Sequence, residues 1–92
     1  MTPPEPIGRH LDMLCDAAEI VTRSQYATIS LIQRRVRVGF ATAGRLMILL
    51  EDYGICGPYT GKPADVLITA DQLPGVLAEL RKIASKEGDP DA

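Results

Sequence analysis

Arg34, Arg35 and Arg37 place three guanidinium groups within four positions, and Arg45 adds another further on. A guanidinium is a planar fork of donors that matches phosphate oxygens and the O6 and N7 edge of guanine. The cluster therefore points to binding a polyanion rather than to a reaction. The other reactive side chains do not converge. Cys15 and Cys56 lie far apart with no Cys-x-x-Cys spacing, and His10 is the single imidazole. A metal centre needs three or four converging ligands, so no metal and no other cofactor is expected. The thiols read as small buried side chains in a reducing compartment. No nucleophile–base pair is visible and the carboxylates fall on solvated faces, so no catalytic residue is assigned and the protein is not expected to be an enzyme.

The formal net charge is −2, which argues against a generic nucleic-acid sponge, but the charge is unevenly placed. From Val21 to Leu50 there is no acid, while Arg23, Arg34, Arg35, Arg37 and Arg45 all fall there. A basic middle between acidic ends is the surface a polyanion would meet. Directly beside it runs Leu46-Met-Ile-Leu-Leu50, apolar on every side.

Those residues have to be held by few elements. The 92 residues allow one domain, and a chain this short buries only about 60–65% of its unfolded surface, enough for one aliphatic core but no deep cleft. The opening MTPPEPIG, with its prolines, reads as a loose tail and not as a signal peptide. No apolar run reaches the length of a membrane span, and a cytoplasmic, nucleoid-associated location with no membrane partner is expected. Apolar residues at Leu11, Leu14, Cys15, Ala18 and Val21 predict a first helix to about Arg23. Tyr26, Thr28 and Ile29 favour a very short strand. Ser30 and Gln33 have the spacing of a capping box, which opens a second helix from about Leu31 to Val38. Gly39 is expected to end it in a left-handed turn. A third helix runs from about Ala41 to Tyr53, with Gly54 as its stop. ICGPY, TGKPA and DVLIT then read as strand, turn and strand. Asp71 is expected to cap a last helix, with Pro74 in its first turn and Leu73, Val76, Leu77, Leu80 and Ile83 as its apolar stripe.

The order predicts a mainly α fold with a small β-hairpin: a winged helix-turn-helix, three core helices plus a wing, with an extra C-terminal helix. The expected divisions are a tail over 1–9, the winged-helix domain over 10–69 (helix-turn-helix 31–53, wing 55–69), a helix over 70–86 and a disordered tail over 87–92. In such a unit the second helix of the pair enters the major groove. On helical spacing Ala43, Leu46, Met47 and Leu50 face inward. Ala41, Thr42 and Arg45 face outward, with Ile48 or Leu49. Arg45 is then the guanine reader, Arg34, Arg35 and Arg37 hold phosphates, and Lys62 does so from the wing tip. Ile48 and Leu49 together exceed what a three-helix core uses, so one of them is expected to be covered. The C-terminal helix could do this by packing back on the third helix, the preferred arrangement, or by pairing with a second copy in a homodimer.

Over about 45 residues the chain resembles a known family, the gamma domain at the C-terminus of FtsK/SpoIIIE-type DNA translocases. The matching motifs are S-x-x-Q-R at Ser30 to Arg34, Gly39-Phe40, Ala43, Arg45, Glu51 and Gly54-Ile55, with Asp65-Val-Leu67 similar to the last strand. The resemblance implies a winged helix that reads short, G-rich chromosomal motifs in double-stranded DNA, and in so doing orients a motor during chromosome segregation. It also implies contact with a site-specific recombinase. Of the family's base-reading Asn, Arg and Glu, Arg45 keeps the arginine, but Ala41 and Ile48 stand where the other two are expected, so the family's target is not carried over. GPYTGKP is no phosphate-binding loop, because Pro63 stands where Ser or Thr is required. A stand-alone, sequence-specific DNA-binding module without motor activity is the reading. The alternative is a protein-interaction module docking a recombinase, a DNA translocase or a second copy.

Overall fold

The computed structural model describes residues 10–87. The tails expected over 1–9 and 87–92 lie outside the described residues, apart from the backbone of Glu87. The chain is mainly helical: α1 spans Leu11–Ser24, α2 Ile29–Ile32, α3 Phe40–Asp52 and α4 Leu73–Glu87. A wide π-turn over Gln33–Arg37 continues α2.

Burial of aliphatic surface organises these elements. From α1, Leu14, Cys15, Ala17, Ala18 and Val21 enter the core, and from α3 Ala43, Leu46, Met47, Leu49 and Leu50 do so. The inward set expected for α3 is thus present, and Leu49 joins it at 0% exposure while Ile48 stays 59% exposed. The apolar run therefore divides between core and surface. α4 also packs within the chain, chiefly against α1 and not as a cover for α3. Leu73 and Leu80 are its buried residues, flanked by Val76, Leu77 and Ile83. Leu49 is accordingly not covered in the expected way: the turn of α3 itself carries it into the core.

The start of α2 differs from expectation. Thr28 is the cap, extended at φ −136° and ψ 157°, and its Oγ1 accepts the Leu31 N–H at 3.1 Å. Ser30 lies inside the helix and is exposed. Starting at Ile29 puts Ile29 and Ile32 three apart on the core side, and Ile32 is fully buried. That burial outweighs the Ser30–Gln33 pattern.

The end of α2 differs as well. Gly39 is extended, at φ −74° and ψ 173°, and serves as the N-cap of α3. The left-handed residue is Arg37, at φ 64°. A regular helix would keep Val36 on the face of Ile32 and turn Val38 outward. The π-turn, closed by Val38 N–H to Gln33 C=O at 3.3 Å, together with the reversal at Arg37, brings both valines against the core.

α3 stops where expected. Gly54 takes φ 75°, its N–H donates to Glu51 C=O at 3.1 Å, and Ile55 N–H donates to Leu50 C=O at 2.8 Å. This is a Schellman closure, with Leu50 and Ile55 both fully buried beside it.

The expected hairpin is reduced to one isolated antiparallel bridge, Cys56 with Val66; a second bridge pairs Ala27 with Ala64, and no strand forms among the described residues. Leu67 N–H to Ile55 C=O at 2.8 Å and Gly57 N–H to Asp65 C=O at 2.9 Å bracket the first bridge. Pro58 and Pro63 lack the N–H that a longer ladder would need. The returning arm is instead tied to the α1–α2 connection. Ala64 N–H donates to Ala27 C=O at 2.9 Å, and Gln25 Nε2 donates to Ile68 C=O at 3.3 Å. The strand expected around Tyr26 to Ile29 survives only as the Ala27 bridge. Asp71 lies within the 70–72 turn before α4 rather than capping it. There Gln72 reaches back, its Oε1 accepting the Thr69 N–H at 2.9 Å.

Candidate nucleic-acid interface

α3 carries the candidate site because its inner side is consumed by the core. Ala41, Arg45 and Ile48, spaced four and three residues apart, share the opposite side and are exposed. They line one open groove together with Phe40, Gly44, Met47 and Glu51 of α3, Ile29 at the start of α2 and Tyr59 of the bridged loop. The floor is largely apolar. Arg45 supplies a cation near its middle and Glu51 an acid near its far end.

The remaining expected residues distribute around this groove without all entering it. Arg34 and Arg37 are exposed on the π-turn that leads into the N-terminal end of α3. Arg35 lines a different groove, between α1 and α2, with Asp16, Glu19, Ile20 and Arg23. There Arg23 Nε already donates to Glu19 Oε1 at 3.0 Å. Thr42 is half-buried and does not line the α3 groove. Lys62 is exposed at the bend of the loop next to Gly61, whose φ of 96° allows the sharp reversal.

Sequence reasoning missed the walls of the groove. Ile29 and Tyr59 come from separate segments, and no local period links them to α3. Phe40 had a signal: an aromatic directly after Gly39 in a chain with few aromatics. It is 68% exposed at the first position of α3.

The cysteines take no part. Both are free and buried; burial raises the Cys56 thiol to about 11. Burial raises the Cys15 thiol too, against the opposing pull of nearby Arg81. Thiols held protonated are poor nucleophiles and poor ligands. No group of three His, Cys, Asp or Glu side chains among the described residues is placed to hold a metal ion. No helix among them is long and apolar enough to cross a membrane.

One exposed helix face, with guanidinium groups at its leading end and a bridged loop alongside, marks a small helical domain. The chain belongs to the FtsK gamma domain family, whose model matches residues 10–69. It is 55% identical over 78 residues to the DNA translocase FtsK of Streptomyces avermitilis, an overlap covering 84% of this chain and 9% of that protein. It is 54% identical over 78 residues to DNA translocase FtsK of Streptomyces coelicolor, covering 84% and 8% respectively. For DNA translocase FtsK of Mycobacterium tuberculosis (strain H37Rv) the figures are 49% over 76 residues, 82% and 9%. The chain thus spans about a tenth of the length of these curated relatives. No solved structure matches it.

Proposed function

We propose that this chain is a winged helix-turn-helix module that reads double-stranded DNA with α3 in the major groove. The observation that carries the reading is the outer face of α3: Arg45 between Ala41 and Ile48, preceded by an acid-free stretch holding the other arginines. Arg34 and Arg37 flank the helix entry, where phosphates pass, and Lys62 offers a further contact from the loop. Arg45 reaches guanine O6 and N7. In this reading the chain supplies recognition and no motor activity, and the sequence it recognises directs a translocase along the chromosome.

The test is affinity for random-sequence duplex as a function of salt. Each neutralised phosphate contributes a slope near −0.9, so Arg34, Arg37 and Lys62 acting together give about −2.5 to −3 in log K against log salt. A duplex affinity that does not respond to salt, or no binding at low salt, would overturn the reading.

Arg37 gives a sharper check, because its backbone and its charge act in opposite directions. Left-handed geometry costs a non-glycine residue about 1 kcal/mol or more. Arg37→Gly is therefore expected to melt at an unchanged or slightly higher temperature while its salt slope becomes shallower by about 0.9. Loss of both stability and binding would mean that the side chain supports the fold instead.

A second reading is favoured by one observation: Phe40 and Ile48 leave large apolar side chains exposed on the groove. The same face would then dock a protein, a recombinase, a translocase or a second copy. Selection of duplexes from a random pool separates the two, since a protein-docking face selects no sequence.

A further inference from the structure

We infer that the α3 groove recognises the C5-methyl groups of thymines flanking one guanine, with Ala41 and Ile48 as the specificity-determining residues. The inference rests on the DNA-binding reading above and names what it recognises.

Ile48 is the central observation. It is 59% exposed, whereas its neighbours Met47 and Leu49 are at 3% and 0%. α4, the element with an apolar stripe to spare, is packed on α1. Ala41, Arg45 and Ile48 thus form a row on one helix face: apolar, cationic, apolar.

The spacing of that row fits base pairs. At a rise of about 1.5 Å per residue, Ala41 lies about 6 Å before Arg45 and Ile48 about 4.5 Å after it. A base-pair step is about 3.4 Å, so each apolar side chain falls within about two steps of the guanine that Arg45 engages. Neither Ala41 nor Ile48 can hydrogen-bond. Set against N7, O6, N4 or N6, each would strip water from a polar group and return nothing. The thymine methyl is the one apolar feature that ordinary bases project into the major groove. A contact made through the methyl predicts a preference for thymine over cytosine and purines at both flanks, with guanine between them.

The experiment starts by selecting a preferred duplex from a randomised pool with the purified chain. Each thymine in it is then replaced singly by uracil, which deletes the methyl and leaves every donor and acceptor in place. Loss of one buried methyl is expected to weaken binding roughly three- to fivefold at one position on each side of the guanine. In Ile48→Ala the uracil penalty should vanish on one side, and in Ala41→Gly on the other. Full-strength binding to the all-uracil duplex, with its sequence still selected, would overturn the methyl reading while leaving DNA recognition standing. A uracil penalty that persists in both variants would assign the methyl contact elsewhere and equally overturn it. Failure to select any duplex would overturn DNA recognition itself, and the inference with it.

Discussion

Arg45→Ala is expected to abolish most of the sequence preference of this chain while leaving its general affinity for duplex largely in place. A bidentate arginine–guanine contact is worth roughly 1–3 kcal/mol of discrimination, or about fivefold to 150-fold between the selected duplex and one with that guanine changed. Arg45 is exposed on α3, so its truncation removes no core packing. Competition binding with the two duplexes measures the ratio directly. It should collapse towards one in the variant. An unchanged ratio would show that guanine is read by another residue or not at all. Arg45→Lys keeps the charge and loses the fork, so an intermediate ratio is expected from it.

The second large effect concerns stability, and it sets two adjacent residues apart. Leu49 is fully buried and Ile48 is 59% exposed. Leu49→Ala should cost about 2–5 kcal/mol, from lost transfer energy and from the cavity left between the helices. In a domain of this size that corresponds to a fall in melting temperature of about 10 °C or more. Ile48→Ala should stay within about 0.5 kcal/mol of the parent. Thermal unfolding followed by circular dichroism compares the two. A large loss in Ile48→Ala would mean that its side chain is covered, and the groove on α3 would then close as a binding surface.

The contrast between those neighbours shows what periodicity reaches. Helical spacing identified Ala43, Leu46, Met47 and Leu50 as the inner face of α3, and all four are buried. It left open which of Ile48 and Leu49 turns outward: Leu49 borders the apolar arc and packing takes it inside, while Ile48 stands on the opposite side and stays exposed. Gly54 was legible because a helix stop with a left-handed residue is a local event. Gly39 was misread for the complementary reason. The left-handed position fell on Arg37, where the need to bring Val36 and Val38 to the core outweighs the intrinsic preference for glycine.

The loop after α3 shows a different limit. The segments ICGPY and DVLIT do meet as expected, yet Pro58 and Pro63 restrict their pairing to the single Cys56–Val66 bridge. Of the site, Ala41 and Arg45 were readable as the outer side of one helix, and Ile48 joined them only through the family resemblance. The groove around it was not, since Ile29 and Tyr59 arrive through tertiary structure. The charge count likewise grouped Arg35 with Arg34 and Arg37, but the π-turn directs it to the α1–α2 groove.

The most direct test is a nuclear magnetic resonance titration of isotope-labelled protein with its selected duplex, followed at backbone amides. The largest shifts are expected at Arg37 and from Gly39 to Ile48, with smaller ones near Lys62 and none along Val76 to Ile83 of α4. Shifts centred on α1 or α4, with the amides from Gly39 to Ile48 unmoved, would contradict recognition through α3.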